Sequence, residues 1–430
     1  MQVYSTYFLR LVEQAAPQLK GSQQEAWLSK LEEEHDNLRA ALDWLIAQQQ
    51  TEPALRFCEA FGKFCGLRGH WSEERRWLKA ALRLPQDEQQ QAIRGRVLRR
   101  AGHLAYRLRD LTDARTLLEQ SVACSRQSSD QHNLAGALSS LGWVFYRQNE
   151  IAIAGDLLKE SVEITRPLDD NWVLANTLES LGRFMHYQGD LAGAYTLLLE
   201  SVAIARKLVD KENLARILTT LVALEIAQGH MPQAELLAQE SAALARELGT
   251  MPLIALTLDT QGEVALFQGA YDQARQFFEQ RIAMAYELGD TPTVASKQLK
   301  LADIALAQRD LEQAAQLAQA LLQPLREHGN ILGIITARCI LADVKRLAGD
   351  LTPALALYQD ILQQDQNAGD KRIVGRCIAG LAQTLLDQGQ LEQAVNLFAS
   401  DPSWLSPLSD MHPVQRADYE QAKTRAISQR

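Results

Sequence analysis

The chain has 430 residues, 47% of them hydrophobic and 23% charged, and a formal net charge of -9 at neutral pH. An acidic chain is a poor general binder of nucleic acid, since the phosphate backbone is itself negative. No apolar run is long enough to span a bilayer, and residues 1–20 lack the charged start and apolar stretch of a secretion signal, so we expect a cytoplasmic protein with no direct nucleic-acid or membrane partner.

Three segments follow one another along the chain. Residues 1–88 predict an N-terminal module of four or five atypical helices that ends at Leu84-Pro85, because proline breaks a helical pattern. Residues 89–400 predict eight helix pairs. Residues 401–430 predict a loop that contains Trp404 and a last helix that begins at Pro413. A stack of helix pairs needs a polar end to stay soluble, so we expect this last helix to act as a cap.

The middle segment repeats with a period of 40 residues. Turn signals such as Gly189-Asp190 and Gly229-His230 recur at that spacing, and further breaks fall midway between them. The intervening stretches are rich in Ala, Leu, Gln, Glu and Arg, and their apolar residues recur at intervals of three and four. That pattern predicts helices of about 17 residues. Arg109 and Arg309 occupy a turn position that favours glycine, which predicts differently shaped turns there.

Small residues recur at a fixed position in both helices of each unit. Twelve residues separate the two members of each pair, which predicts a close crossing of the two backbones. The first column is Gly102, Gly142, Gly182, Gly262, Ala302, Ala342 and Ala382, and the second is Ala114, Ala154, Ala194, Ala274, Ala314, Ala354 and Ala394. Val222, paired with Ala234, is the bulkier exception.

Together, these columns and the Gly-Asp-type turns resemble the tetratricopeptide repeats across residues 90–400. The resemblance implies an all-α fold, a right-handed superhelical solenoid of antiparallel helix pairs. The usual repeat has about 34 residues, so this chain resembles a variant with longer helices.

A second resemblance covers the N-terminal module. Residues 27–44, with Asp36-Asn37-Leu38, and residues 69–82, with Trp77-Leu78, resemble the segment that opens the repeat arm of STAND-class bacterial regulators. In that family a nucleotide-binding ATPase precedes the repeats and the arm senses an inducer. The sequence contains no Gly-x-x-x-x-Gly-Lys-Ser/Thr phosphate loop, so the resemblance implies an ATPase module supplied elsewhere, in the same protein or in another chain.

In tetratricopeptide arrays the first helix of each pair lines the concave face, and that phase projects a candidate groove. Its N-terminal half is cationic and aromatic, which suits an anionic ligand or an acidic peptide. The candidate residues are Arg96, Arg99, His103, Tyr106, Arg107, Trp143, Tyr146, Arg147, Arg183, His186 and Tyr187. The C-terminal half reads as acidic, through Asp259, Glu263, Asp303, Asp343 and Asp387. The same residues also fit ordinary solvated helix faces and packing between repeats.

Chemistry beyond binding has little support in the sequence. The histidines His70, His103, His186 and His230 lie in different units without ligand spacing, and no nucleophile elbow occurs. We therefore expect no metal site, no cofactor and no catalysis. The five cysteines are scattered and include no Cys-x-x-Cys pair, which favours buried thiols over disulfides or zinc.

Three functions remain open. The leading hypothesis is a non-catalytic sensor arm of a STAND-type regulator that binds an inducer or a protein or peptide partner in the groove; a small anionic inducer is one form of that ligand. A constitutive protein-binding scaffold is the first alternative. A receptor for a signalling peptide is the second, with the peptide held near Tyr146 and Arg183.

Overall fold

The computed structural model describes residues 1–19, 23–85, 88–168, 170–287, 290–327, 330–364, 371–399, 420–421 and 423–424. In these residues the regular structure is helical, with 21 α-helices and no strand. The all-α fold predicted from the sequence is therefore confirmed. The predicted C-terminal loop and cap, including Trp404, lie outside the described residues apart from those last two short stretches.

The N-terminal helices are α1 (Gln2–Gln18), α2 (Gln24–Glu33), α3 (His35–Ala47), α4 (Thr51–Arg68) and α5 (Trp71–Leu82), followed by a short 3-10 helix at Glu88–Gln90. Their apolar faces meet in one cluster that includes Phe57, Phe61, Phe64 and Trp77, all nearly inaccessible to solvent. Val97 and Leu104 of the following helix belong to the same cluster, so the N-terminal module shares its core with the first repeat. The domain boundary at residue 88 stays a prediction.

The remaining helices follow as consecutive pairs joined by short turns. They are α6 (Gln91–Arg107) and α7 (Leu111–Ser128), α8 (Gln131–Arg147) and α9 (Ile151–Thr165), α10 (Asn171–Tyr187) and α11 (Leu191–Leu208), α12 (Lys211–Gln228) and α13 (Met231–Leu248), α14 (Met251–Phe267) and α15 (Tyr271–Glu287), α16 (Thr291–Ala307) and α17 (Leu311–Glu327), α18 (Ile331–Leu347) and α19 (Leu351–Gln364), and α20 (Lys371–Asp387) and α21 (Leu391–Ala399).

The turns end and restart the helices by the chemistry that the sequence predicts. Gly189 and Gly229 take φ values of 85° and 80°, which is left-handed backbone that glycine adopts without a steric penalty. Asp110 then caps α7, because its carboxylate accepts the backbone N–H of Asp113 at 3.2 Å. Arg109 and Arg309 adopt the same left-handed conformation, with φ values of 65° and 63°. The prediction that their turns differ in shape is therefore wrong, since the C-cap geometry overrides the residue preference.

The small-residue columns lie at the helix crossings. An added Cβ on Gly142 would come within 2.9 Å of the Leu158 side chain and 3.2 Å of the Ala154 carbonyl oxygen. A Cβ on Gly262 would meet the ring of Phe278 at 2.6 Å. These distances are shorter than ordinary carbon contacts, so a larger side chain would force the two helices apart. The predicted close crossing is confirmed.

The helices divide between two compact units. The first consists of Met1–Phe184, Thr196–Ile217 and Leu244–Pro252, and the second of Met185–Tyr195, Leu218–Ala243 and Leu253–Arg430. Within the first unit Lys63 of α4 forms an ion pair with Glu212 of α12 at 2.9 Å, across 149 residues of sequence. The N-terminal module is thus attached to more than its nearest repeat.

Cysteine pairing departs from the sequence prediction in the second unit. Cys339 of α18 and Cys377 of α20 form a disulfide, with their Cα atoms 6.4 Å apart. The expectation of free thiols is wrong for this pair, because the two cysteines, 38 residues apart in sequence, face each other across neighbouring repeats. Cys58 and Cys65 are free and buried, and burial raises the pKa of both thiols.

Membrane insertion through a helix finds no support in the described residues. None of their helices combines the length and the hydropathy that crossing a bilayer requires.

Candidate functional site

A cavity of about 700 Å³ lies in the first compact unit. Its walls come from the first helices of successive pairs, α6, α8 and α10, and from the start of α12. Residues that share a phase in a 40-residue repeat face the same space, which is why side chains far apart in sequence converge here. The volume falls in the range of sites for small ligands and short segments. The lining residues are Arg96, Arg99, His103, Tyr106, Asp130, His132, Asn133, Gly136, Ser139, Ser140, Trp143, Trp172, Val173, Asn176, Thr177, Glu179, Ser180, Arg183 and Arg216.

Arg99 is held in a fixed orientation on the cavity wall. Its side chain lies over Gly136, where an added Cβ would sit 3.3 Å from the Arg99 Cδ atom. Arg99 Nε donates to Asn133 Oδ1 at 2.7 Å. Asn133 is itself oriented, because its Nδ2 donates to Ser125 Oγ at 2.7 Å. Among the residues that the structure describes, no carboxylate lies within ion-pairing distance of Arg99, although Glu59 and Asp130 act on its charge from farther away.

The surroundings of Arg99 carry a positive potential. Burial in the cavity wall and the neighbouring cation of Arg100 lower the pKa of Arg99. The His103 side chain lines the cavity, where it is exposed to solvent but partly enclosed by the walls. That desolvation, together with the cations of Arg100 and Arg107, lowers the pKa of His103 to about 3. His103 is therefore neutral at pH 7, and an anion placed beside it would relieve the excess positive charge.

An arginine stacked on tryptophan forms part of the opposite wall. The guanidinium of Arg183 lies 4.0 Å from the centroid of the Trp143 ring. Glu179, only 1% exposed, faces Arg183 at 3.4 Å and Arg216 at 2.7 Å. Arg216 also donates to Asn213 Oδ1 at 2.7 Å. One buried carboxylate is thus shared by two arginines on this wall.

Arg96, by contrast, is neutralised. It pairs with Glu59 at 2.6 Å and with Asp130 at 2.9 Å. Arg99, and not Arg96, is therefore an arginine of this wall without a carboxylate partner among the described residues.

Six of the eleven candidate residues line this cavity, and their role in binding stays a prediction. They are Arg96, Arg99, His103, Tyr106, Trp143 and Arg183. Arg147 of α8 is not among the lining residues.

The other four candidates are placed elsewhere. Arg107 stacks on Trp71, with its guanidinium 4.5 Å from the ring centroid. Tyr146 packs edge-on against Trp143 and Phe184, with centroids 5.5 and 6.0 Å apart. His186 and Tyr187 belong to the second compact unit.

Sequence projection missed lining residues at the start of α8 and α10. Asp130, which caps α8, His132 and Asn133 of α8, and Trp172 of α10 lie about three turns before Trp143 and Arg183. A signal existed in the spacing. Arg96 with Asp130, and Arg99 with Asn133, are both 34 residues apart, which joins the middle of one first helix to the start of the next.

The acidic C-terminal half of the projected groove is charge-balanced in the structure. Asp259 pairs with Lys297 at 3.0 Å, and Glu263 faces Lys300 at 3.4 Å. Arg376 bridges Asp303 at 2.9 Å and Asp343 at 2.8 Å. The sequence projection considered only the helix that carries each carboxylate. It left out the lysines and the arginine that later repeats place beside those carboxylates. The prediction of an acidic half is wrong for these four residues.

Comparison with known families agrees with the repeat geometry. Residues 94–166 and 333–400 match one tetratricopeptide repeat family, and residues 174–213 match another. The repeats are tetratricopeptide repeats. They occur here in a longer, 40-residue form, and the helical-repeat solenoid predicted from the sequence is confirmed. No curated protein matches the sequence significantly.

Solved structures with similar folds include two Rap proteins. A Rap protein in complex with the competence and sporulation factor aligns with a TM-score of 0.54 and 14% identity, over 93% of this chain and 99% of that one. The Rap conjugation gene regulator of the plasmid pLS20, in complex with a peptide, aligns with a TM-score of 0.51 and 11% identity, over 91% and 95%. At such low identity the likeness shows the shared tetratricopeptide fold alone.

A STAND protein with a tetratricopeptide repeat sensor from Pyrococcus horikoshii aligns with a TM-score of 0.45 and 15% identity, over 79% of this chain and 55% of that one.

Proposed function

We propose that the cavity binds the acidic part of a peptide or protein partner and that the chain acts as a non-catalytic regulatory arm. The observation that carries the proposal is Arg99, fixed by Asn133 and Gly136 and left without a carboxylate partner among the described residues. A rigid guanidinium donates two parallel hydrogen bonds to one carboxylate, so its preset orientation lowers the entropy lost on binding. Small anionic inducers share this chemistry and form the narrower version of the proposal.

Aromatic groups give the ligand a second means of attachment. Trp143 and Tyr106 line the same cavity as Arg99, and Trp172 is 43% exposed beside it. The indole Nε1 of Trp172 donates to Asp210 at 2.7 Å, which holds that ring in place. An acidic residue next to an apolar or aromatic one fits this combination of cation and ring faces. We therefore favour a short peptide segment over an inorganic anion.

The size of the cavity and the shared fold both support a short segment. A space of about 700 Å³ suits a few residues and not a folded domain. Two structures with the same fold are complexes, one with a peptide and the other with the competence and sporulation factor. These facts describe those proteins, and they favour a peptide as the first ligand class to test here.

A regulatory role rests on the resemblance of residues 27–82 to the start of STAND repeat arms. Such an arm would act on a nucleotide-binding ATPase in the same protein or in another chain. Repeat arrays flex because each unit contacts mainly its neighbours, so a ligand that bridges α6, α8 and α10 would stiffen them. A constitutive scaffold is the competing function. Small-angle scattering distinguishes the two, because a sensor changes its radius of gyration on binding and a scaffold does not.

The test of the binding site uses labelled short peptides that carry clustered Asp and Glu beside one aromatic residue. Fluorescence anisotropy gives their Kd for the wild-type chain and for Arg99→Ala. Loss of a charge-assisted hydrogen-bond pair should weaken binding about 10- to 100-fold. Arg99→Lys should give an intermediate Kd, because it keeps the charge and loses the planar fork.

Arg147→Ala is the matched control, since Arg147 is an arginine on the neighbouring first helix that does not line the cavity. It should bind the peptides as the wild type does. Equal Kd values for wild type and Arg99→Ala, with both proteins folded, would contradict the proposal. So would a preference for neutral over acidic peptides of matched length.

A further inference from the structure

Two histidines and two glutamates converge where α2, α3 and α5 meet, apart from the cavity. His35 begins α3, and His70 precedes α5 directly after the left-handed Gly69. His35 Nε2 lies 3.3 Å from Glu73 Oε2, and His70 Nε2 lies 3.5 Å from Glu32 Oε1. One donor atom each from His35, His70 and Glu73 falls within 4.8 Å of the other two.

Both imidazoles direct an unused nitrogen into this cluster. The Nε2 atoms of His35 and His70 are inaccessible to solvent, and among the described residues neither makes a hydrogen bond. The two rings stack with centroids 4.3 Å apart, and Phe64, fully buried, lies 5.5 Å from the His70 ring. Each Nε2 faces a carboxylate oxygen without forming a hydrogen bond to it, and an ion that accepts a lone pair from both atoms would satisfy them.

The carboxylates are oriented for the same purpose. Arg39 holds Glu73 through its Oε1 atom, and Arg68 faces Glu32 Oε2 at 3.5 Å. Each glutamate thereby keeps its second oxygen toward a histidine. Outer partners that orient ligating carboxylates in this way are a usual feature of metal sites.

We infer that His35, His70 and Glu73 bind one divalent transition-metal ion of the zinc class, with Glu32 or a water as the fourth ligand. Bond lengths of about 2.0–2.1 Å in a tetrahedron place the ligand atoms roughly 3.3–3.5 Å apart. Two histidine–glutamate separations match that value, while the other separations in the triad, up to 4.8 Å, and the stacked imidazole rings must adjust when the ion binds. A donor set of imidazole and carboxylate suits zinc better than calcium or magnesium. The ion would link α2, α3 and α5, and so fix the N-terminal module.

Sequence reasoning did not find this site. His35 and His70 are far apart in the chain, and no short motif joins them.

The test is titration of the full chain, freed of any affinity tag and of metal, with Zn²⁺ alone, followed by calorimetry. One ion per chain should bind, and the thermal midpoint should rise with Zn²⁺. His70→Gln and Glu73→Gln should each weaken binding by at least about tenfold. The control is His230→Gln, because His230 is an exposed histidine beside Glu225 at 2.9 Å in the second unit, and it should bind as the wild type does.

Substitution with Co²⁺ gives a readout that needs no variant. The intense visible bands of tetrahedral cobalt in the wild-type chain would support the site, and weak octahedral bands would overturn it. Absence of saturable one-to-one binding would overturn it as well. Wild-type affinity in both folded variants would assign the cluster to a purely structural charge network.

Discussion

Replacing Gly262 by alanine tests how tightly the repeat crossings are packed. The new Cβ would lie 2.6 Å from Cε1 and 2.9 Å from Cζ of Phe278, a ring that is completely buried. Carbon atoms normally rest about 3.5–4.0 Å apart, so the ring must retreat by about 1 Å. Overpacking against the rigid ring costs up to about 3 kcal/mol of stability, and the higher helix propensity of alanine over glycine offsets about 1 kcal/mol of that cost. We expect Gly262→Ala to lose about 2 kcal/mol of unfolding free energy.

A double-mutant cycle isolates the clash. Phe278→Ala alone should cost about 3–5 kcal/mol, and in that background Gly262→Ala should become stabilising by about 1 kcal/mol because the ring is gone. The two changes should therefore couple by about 3 kcal/mol. Urea unfolding of the four proteins, followed by far-UV circular dichroism, measures it. Additive effects of the two substitutions would refute the close crossing.

Three further outcomes follow from the cavity. Glu179→Gln removes the carboxylate that Arg183 and Arg216 both face. Thermal unfolding should show a loss of about 1–3 kcal/mol of stability, and fluorescence anisotropy should show tighter binding of acidic peptides. Weaker binding by the folded variant would contradict the charge argument. His103, with its pKa lowered to about 3, stays neutral where an unfolded histidine takes up a proton near pH 6.5. Stability should therefore fall as pH drops from 6.5 toward 3, and less so in His103→Gln, as followed by urea midpoints; identical pH profiles would exclude the effect. Tyr146→Ala should cost about 2 kcal/mol and leave the peptide Kd unchanged, since the ring packs on Trp143 and Phe184; a raised Kd would return Tyr146 to the site.

The fold could be predicted because its determinants are local and periodic. Gly142 and Ala154 mark a crossing that follows from the 40-residue spacing alone. Val222 breaks the glycine column, yet Ala238 stands where Leu118 and Leu158 occur in other units, so bulk on one helix is offset by a small residue on the other. The small side chain of Ala238 therefore explains why the first column tolerates Val222.

The site was predictable only where helix phase decides exposure. The position of Arg99, His103 and Trp143 within the helical repeat correctly predicted that they face one cavity. It failed for Tyr146, because Phe184 from the next repeat covers that ring, and for Asp343, because Arg376 pairs with it across 33 residues. Such partners lie outside any single repeat and are set by the angle between repeats, which the periodicity does not specify.

The ion pair between Lys63 and Glu212 has a consequence for biosynthesis. At about 5–20 residues per second, a ribosome needs about 7–30 s to add the 149 residues between these partners. During that interval α4 already has its neighbours in the N-terminal core and lacks only this partly exposed contact. Because an exposed ion pair contributes at most about 1 kcal/mol, the module can pack before α12 is made and receive the contact afterwards.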